Sequence, residues 1–216
     1  TEIKERVFHS FHRVPITVEE LQLKETTGTH QRVIDMVAHE LITKERIEEW
    51  KELPGVAPGV DISRDIVKLA AIERHKNTGH VGLGFLGKYG LKKGAVATSI
   101  GHDSHNLVIA GVTDEDMVLA GNRVIENGGG LAIALEGKVL ADLPLPIGGL
   151  MADEPVEVVD EKLEHMKKIS TELGISEDID AFMTLAFISL PVIPKLRLNT
   201  YGVVDVEKHQ VVEARF

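Results

Sequence analysis

An α+β fold, with a mixed or largely antiparallel sheet and about three helices, follows from three features of the 216-residue sequence. Short apolar, β-branched runs separated by Gly/Pro turns fill much of residues 31–112. A capped helix over 113–126 then stands between one such run and a hairpin, forming a strand–helix–hairpin unit. Two more helical stretches follow, at 153–174 and 176–187. A closed TIM barrel takes eight strand–helix units and about 250 residues, and this element order does not supply them.

Each element has its own local reason. Residues 1–22 alternate basic and apolar positions without a period, and Pro15 interrupts them. They read as an extended linker from a preceding domain, with Thr17 to Glu20 a short turn and the domain itself spanning 23–216. Gln31 to Ala38, rich in Val, Ile and Met, reads as a buried strand paired with His39 to Ile47. Pro54, Gly55, Pro58 and Gly59 mark a loop, and Asp65 to Arg74 reads as the next strand. Gly79 to Gly94 also holds Gly82, Gly84, Gly87 and Gly90, a spacing that suggests backbone or a ligand approaching closely; the plainer alternative is a glycine-rich bend beneath the core. No strand–GxGxxG–helix context or Gly-Lys-Ser/Thr ending is present, which argues against a nucleotide loop.

The first main helix is the clearest element. Thr113 caps it, Asp116 sits at the capping-box position, and Asp114 and Glu115 suit its positive end. Met117, Ala120, Val124 and Ile125 share a face, and Asn127 to Gly130 stop the helix. Residues 131–143 form a hairpin about Glu136-Gly137, ended by Pro144 and Pro146. Asp153 is the expected cap of the second helix, whose apolar positions run from Val159 to Leu173. Ser176 is the expected cap of the third, and Ser189 to Pro194 is expected to be extended. Val203 to Val206 and Gln210 to Ala214 close the chain as short strands.

Composition narrows the function. A formal charge of −10 disfavours nucleic acid, which needs a basic surface. No apolar run approaches the roughly 20 residues that cross a bilayer. The absence of cysteine from the sequence removes disulfides, thiolate catalysis and Cys-ligated zinc, and fits a reducing cytoplasm.

Chemistry concentrates in one place. Residues 102–106, His-Asp-Ser-His-Asn, form a polar knot between the apolar runs Ala95 to Ile100 and Leu107 to Val112. His102, Asp103 and His105 are the candidate catalytic groups, and Ser104 and Asn106 the candidate pocket residues. Imidazoles titrate near neutrality, and Asp103 is placed to fix a tautomer. A shared metal is the weaker reading, because residues three apart on a strand diverge unless a bulge or turn intervenes. A Ser-His-Asp site at Ser104 lacks the Gly-x-Ser-x-Gly elbow. The plain alternative is an Asp/Ser turn whose side chains bond backbone. His9, His12 and His165 are scattered, surface-type positions.

Several stretches together carry a family resemblance. His-Asp-Ser-His-Asn at 102–106, Asn-Arg-Val-Ile-Glu-Asn-Gly-Gly-Gly at 122–130 and Leu-Pro-Leu-Pro-Ile-Gly-Gly-Leu-Met at 143–151 resemble the C-terminal region of bacterial and archaeal adenine deaminases. So do residues 183–194 and Arg-Val-Ile-Asp at 32–35, in collinear order. The resemblance implies the amidohydrolase superfamily and hydrolysis of adenine to hypoxanthine and ammonia. It implies a divalent metal (Mn, Fe or Zn) in a catalytic barrel, and as partners that barrel, adenine and further copies of the protein. The superfamily's His-x-His pair is absent from this sequence. The metal site is therefore expected outside this chain, with none in it, and the chain alone is expected to be inactive. With Thr1 at its start, it is expected to be a fragment, a separate domain or half of a split enzyme. In that setting the knot is expected to help close the purine pocket; a structural, oligomerisation or ligand-binding module is the alternative.

Overall fold

The computed structural model describes residues 2–24, 26–37 and 39–216. Thr1 and Ala38, each an endpoint of an expected segment, lie outside them. After a helix α1 (Glu2–Phe8), the chain lays down β1 (His30–Met36), β2 (Thr43–Glu49), β3 (Ile66–Ile72), β4 (Val81–Gly87), β5 (Ala95–Thr98) and β6 (Leu107–Gly111). Helix α2 (Asp114–Glu126) leads to the hairpin β7 (Gly130–Leu135) and β8 (Lys138–Pro144). Helices α3 (Val156–Glu172) and α4 (Ala181–Ile188) follow, then β9 (Leu196–Asn199), β10 (Gly202–Asp205) and β11 (Gln210–Val212).

Eight strands form one open sheet in the order β2-β1-β4-β3-β6-β5-β7-β8. Its pairings are antiparallel except for β1 with β4. The last three strands make a separate antiparallel sheet. This is the mixed, largely antiparallel α+β architecture the sequence implies, with no closed barrel.

Strands β3, β5 and β6 are buried at every position because both faces of the sheet are covered. Alternate residues go to different layers. Ala70, Ile72, Ala95, Ala97, Ile109, Ala132 and Ala134 pack under α2 with Met117, Ala120 and Val124. Leu69, Val96, Val108 and Ile133 face the opposite layer, where residues of α3, α4 and the small sheet meet them. The side chains beneath α2 are small, so the helix sits close: a Cβ on Gly111 would meet the Met117 side chain. Lys68 of β3 reaches Asp114 at the start of α2 at 2.6 Å in the buried interior, and Gln22 bonds the other carboxylate oxygen. Thr113 caps α2 as expected, its hydroxyl accepting from Asp116 N.

Five local expectations need correction. The glycine-rich stretch is not a bend: Gly82, Gly84 and Gly87 lie in β4, inside the sheet. The expected close backbone approach is there, made by the β9–β10 turn, since a Cβ on Gly82 would strike the Asn199 carbonyl oxygen. Residues 2–8 are helical rather than extended, and Ile16 and Leu21 are buried against the α2 layer. Asp153 does not cap α3; Pro155 occupies the cap position with no side-chain bond. Helix α4 starts at Ala181, where Asp180 accepts from Phe182 N and Met183 N at 3.0 and 2.8 Å, while Ser176 accepts from Asp178 N in the preceding turn. Pro191 to Lys195 turn instead of running extended, and this reversal feeds β9, which the sequence reading missed.

Candidate functional site

The knot is the connection between β5 and β6, and its anchors are polar. Ser99, fully buried, donates to Gly149 O at 2.6 Å and accepts from Gly130 N at 2.8 Å, tying the loop to the start of β7 and to the 147–151 turn. The loop then folds on itself. Gly101 N donates to His105 Nδ1 at 3.2 Å, and His105 N donates back to Gly101 O. His105 has φ +48°, a left-handed conformation suited to a tight turn. A turn is the case in which residues three apart converge, and the His102 and His105 rings lie 5.7 Å apart at 62°.

Neighbouring elements hold this turn from two sides. His102 N donates to Ala186 O at 2.9 Å, the Ser189 hydroxyl donates to His102 O at 3.3 Å, and the His102 ring lies 4.8 Å from that of Phe187 on α4. From the β3–β4 turn, His75 Nε2 bonds Ser104 O at 2.6 Å. Arg74, 1% exposed, donates through Nε to His105 O at 2.6 Å, through Nη2 to Gly148 O at 3.0 Å and through Nη1 to Ser10 O at 3.3 Å. His75, Arg74 and Phe187 were not legible as site residues. They reach the knot from about 30 residues upstream and 80 downstream, with no local signal.

Charge at the knot follows from this packing. Partial burial, together with the nearby His102 and Arg74, holds the His105 pKa below its ordinary value against the opposing pull of Asp103. Both this shift and the Gly101 N–H donated to Nδ1 favour the neutral His105 ring. Neither histidine bonds Asp103 or the Ser104 hydroxyl, which instead accepts from Asn106 Nδ2 at 3.1 Å. No Ser-His-Asp relay is assembled. Asp103 and Ser104 are exposed, whereas Asn106 Oδ1 is buried without a partner among the described residues. Among those residues no group of three or more His, Asp or Glu is disposed to hold a metal. With His105 Nδ1 committed to backbone, the knot does not fit a metal centre.

The turn that carries His75 is itself pH-sensitive. Partial burial acts to raise the Glu73 pKa, but the N–H groups of Thr78, Lys76 and His75 and the Thr78 hydroxyl outweigh it and bring it down to about 2. A carboxylate with a depressed folded pKa contributes stability that is present above its unfolded value and lost as pH falls toward the folded one. Stability is thus expected to decline between about pH 4.5 and 2 through this group. Glu73→Gln is expected to flatten that part of the profile and, since the group is half-buried and screened, to cost only about 1 kcal/mol at pH 7. Acid urea titrations of the two proteins check this.

Two hollows open on the α4 side of the sheet. The larger, about 550 Å³, lies between α3 and α4 and is lined by Ile100, Leu163, Phe182 and Met183, with Asp160 and Glu164 among its carboxylates. The smaller, about 210 Å³, lies between α4 and the β1–β2 turn, with Phe187, Met183, Leu41, Ile42 and Arg197 in its lining. Met183 borders both hollows, Phe187 links the second to His102, and Ile100, next to the knot, lines the first. Leu41, Ile42 and Met183 are all exposed.

Fold and site together define an open-sheet α+β domain whose polar turn, two hollows and exposed apolar side chains lie around α4. Over residues 40–210 the chain matches the model of the adenine deaminase C-terminal domain, and it belongs to that family. It is 48% identical over 181 residues to adenine deaminase 2 of Carboxydothermus hydrogenoformans, covering 84% of this chain and 32% of that protein. It is also 48% identical over 185 residues to the adenine deaminase of Kosmotoga olearia (86% and 32%), and 40% over 208 residues to that of Lysinibacillus sphaericus (96% and 36%). The chain spans about a third of the length of the curated relatives it matches.

Proposed function

We propose that this domain packs on the catalytic barrel of an adenine deaminase and that the His102–Asn106 knot helps close the purine pocket. The observation that carries the reading is the shared face: the His102 ring lies 4.8 Å from that of Phe187, which lines the smaller hollow beside the exposed Leu41, Ile42 and Met183, so the knot adjoins a surface suited to being covered. The reaction is hydrolysis of adenine to hypoxanthine and ammonia, and a divalent metal (Mn, Fe or Zn) in the barrel supplies the activated water. In this reading the metal site lies in the barrel, and the chain alone is expected to be inactive. We further assign residues 1–22 as the connection from the barrel part and 23–216 as the domain, in a cytoplasmic, homo-oligomeric enzyme.

The test is substitution in the barrel-containing protein. His102→Ala, Asp103→Ala and His105→Ala are each expected to lower kcat/KM about tenfold or more, about 1.4 kcal/mol of transition-state stabilisation, while melting temperature changes little. Normal turnover in all three would sink the pocket role. One observation favours a purely structural reading instead: five backbone groups of the knot, His102 N and O, Ser104 O, and His105 N and O, are bonded, through Ala186, Ser189, His75, Gly101 and Arg74. That reading expects the reverse pattern, lost stability with turnover per folded molecule unchanged.

A further inference from the structure

Arg197 on β9 is a buried cation with no counter-ion. It is 0% exposed, and no carboxylate lies within ion-pair distance of it among the described residues. A guanidinium carries five N–H donors. Here Nη1 donates to Leu196 O at 3.1 Å, and Nη2 to Leu41 O and, at 3.5 Å, to Pro194 O. Nε is buried without an acceptor, so two N–H groups are uncommitted. Burial lowers the pKa only to about 10, which leaves the group fully charged at neutral pH.

An uncompensated buried charge is costly, and folded proteins resolve it by pairing. Arg197 lines the smaller hollow, whose apolar walls are Met36, Leu41, Ile42, Met183, Phe187 and Ile188, with Thr184 adding a hydroxyl. Thr43 is occupied there: its hydroxyl donates to Leu196 O and accepts from Leu196 N. Glu40 at the mouth is exposed and faces water. A volume of about 210 Å³ falls below the roughly 300–1,000 Å³ of drug-sized sites, so the occupant must be compact. We propose that this hollow binds a small monocarboxylate with an apolar body, the carboxylate on Arg197 and the body against Met36, Met183 and Phe187. The hollow shares its walls with the face that the proposed function lays against the barrel, but binding is read on this chain alone, so its failure and the failure of that reading are distinguishable.

The sequence supplies local reporters. Of its five methionines, Met36 and Met183 line the hollow, Met117 and Met166 are buried elsewhere, and Met151 is exposed. The experiment titrates the chain, labelled with ¹³C at its methionine methyls, with acetate, isovalerate and benzoate, using benzamide as the neutral isostere and holding ionic strength fixed. At least one acid is expected to shift Met36 and Met183 saturably while Met117 and Met166 stay in place. Benzamide is expected to bind at least tenfold more weakly than benzoate. Removing the mouth carboxylate with Glu40→Gln, a surface change that leaves the fold intact, is expected to tighten the acid two- to threefold. The proposal is overturned if no acid gives a saturable shift, if benzamide matches benzoate, if all the buried methionines move together, or if Glu40→Gln leaves the affinity unchanged.

Discussion

Gly82→Ala is expected to destabilise the domain by about 3 kcal/mol or more, the upper end of overpacking effects. The added methyl would lie 1.9 Å from the Asn199 carbonyl oxygen and 2.7 Å from Gly202 N. Both are backbone atoms of the β9–β10 turn, held in a three-stranded ladder, so neither can rotate away as a side chain would. The two sheets must separate, and with them the contact that seals Leu198 and Val203 into the core. Gly84→Ala is the internal control. Its methyl would meet only the ends of the Val203 and Leu198 side chains, at 3.0 and 3.2 Å, and is expected to cost about 1 kcal/mol. Urea unfolding separates the two, with a midpoint shift of about 1 M or more for Gly82→Ala. Equal shifts would mean that the small sheet is not packed as described.

Why the glycines were legible as a close approach but not as a strand is a matter of range. Positions 82, 84 and 87 carry no side chain, so the alternation that marks a half-buried strand is erased by the residues that let another sheet lie on it. The cap of α2 was readable because Thr113 and Asp116 are three residues apart, and the hairpin because Glu136-Gly137 sits between its strands. Local signals serve local structure. The boundary of α4 was misplaced because Ser176 and Asp180 are both good caps, and only the packing of Phe182, Leu185 and Ile188 decides between them. At the knot the residue types were visible at once. The convergence of the two histidines was not, since it depends on a turn fixed from outside by Arg74, His75 and Ala186.

That outside support leads to the second large effect. Arg74→Met is expected to cost about 2–4 kcal/mol, lowering the melting temperature by roughly 5–10 °C. Methionine can fill much of the stem's volume against Phe11, whose ring lies 4.9 Å from the guanidinium, but it donates nothing. The carbonyls of Ser10, His105 and Gly148 would lose a buried donor together. Each stranded acceptor costs about 1–3 kcal/mol, and the sum is offset in part because a desolvated charge is removed as well. The three carbonyls belong to segments far apart in the chain, so their release would be seen first as faster amide exchange at 105–107 and 148–151. Arg74→Lys is expected to fall between wild type and Met, since one ammonium cannot span three diverging acceptors. In the barrel-containing protein, a knot that only stabilises would make Arg74→Met lose activity in proportion to unfolded protein. A knot that closes the purine pocket would make it lose turnover per folded molecule too, because His105 and Asn106 would no longer be held in place. Unchanged exchange at 105–107 together with a stability loss under 1 kcal/mol would show that Arg74 does not position the turn.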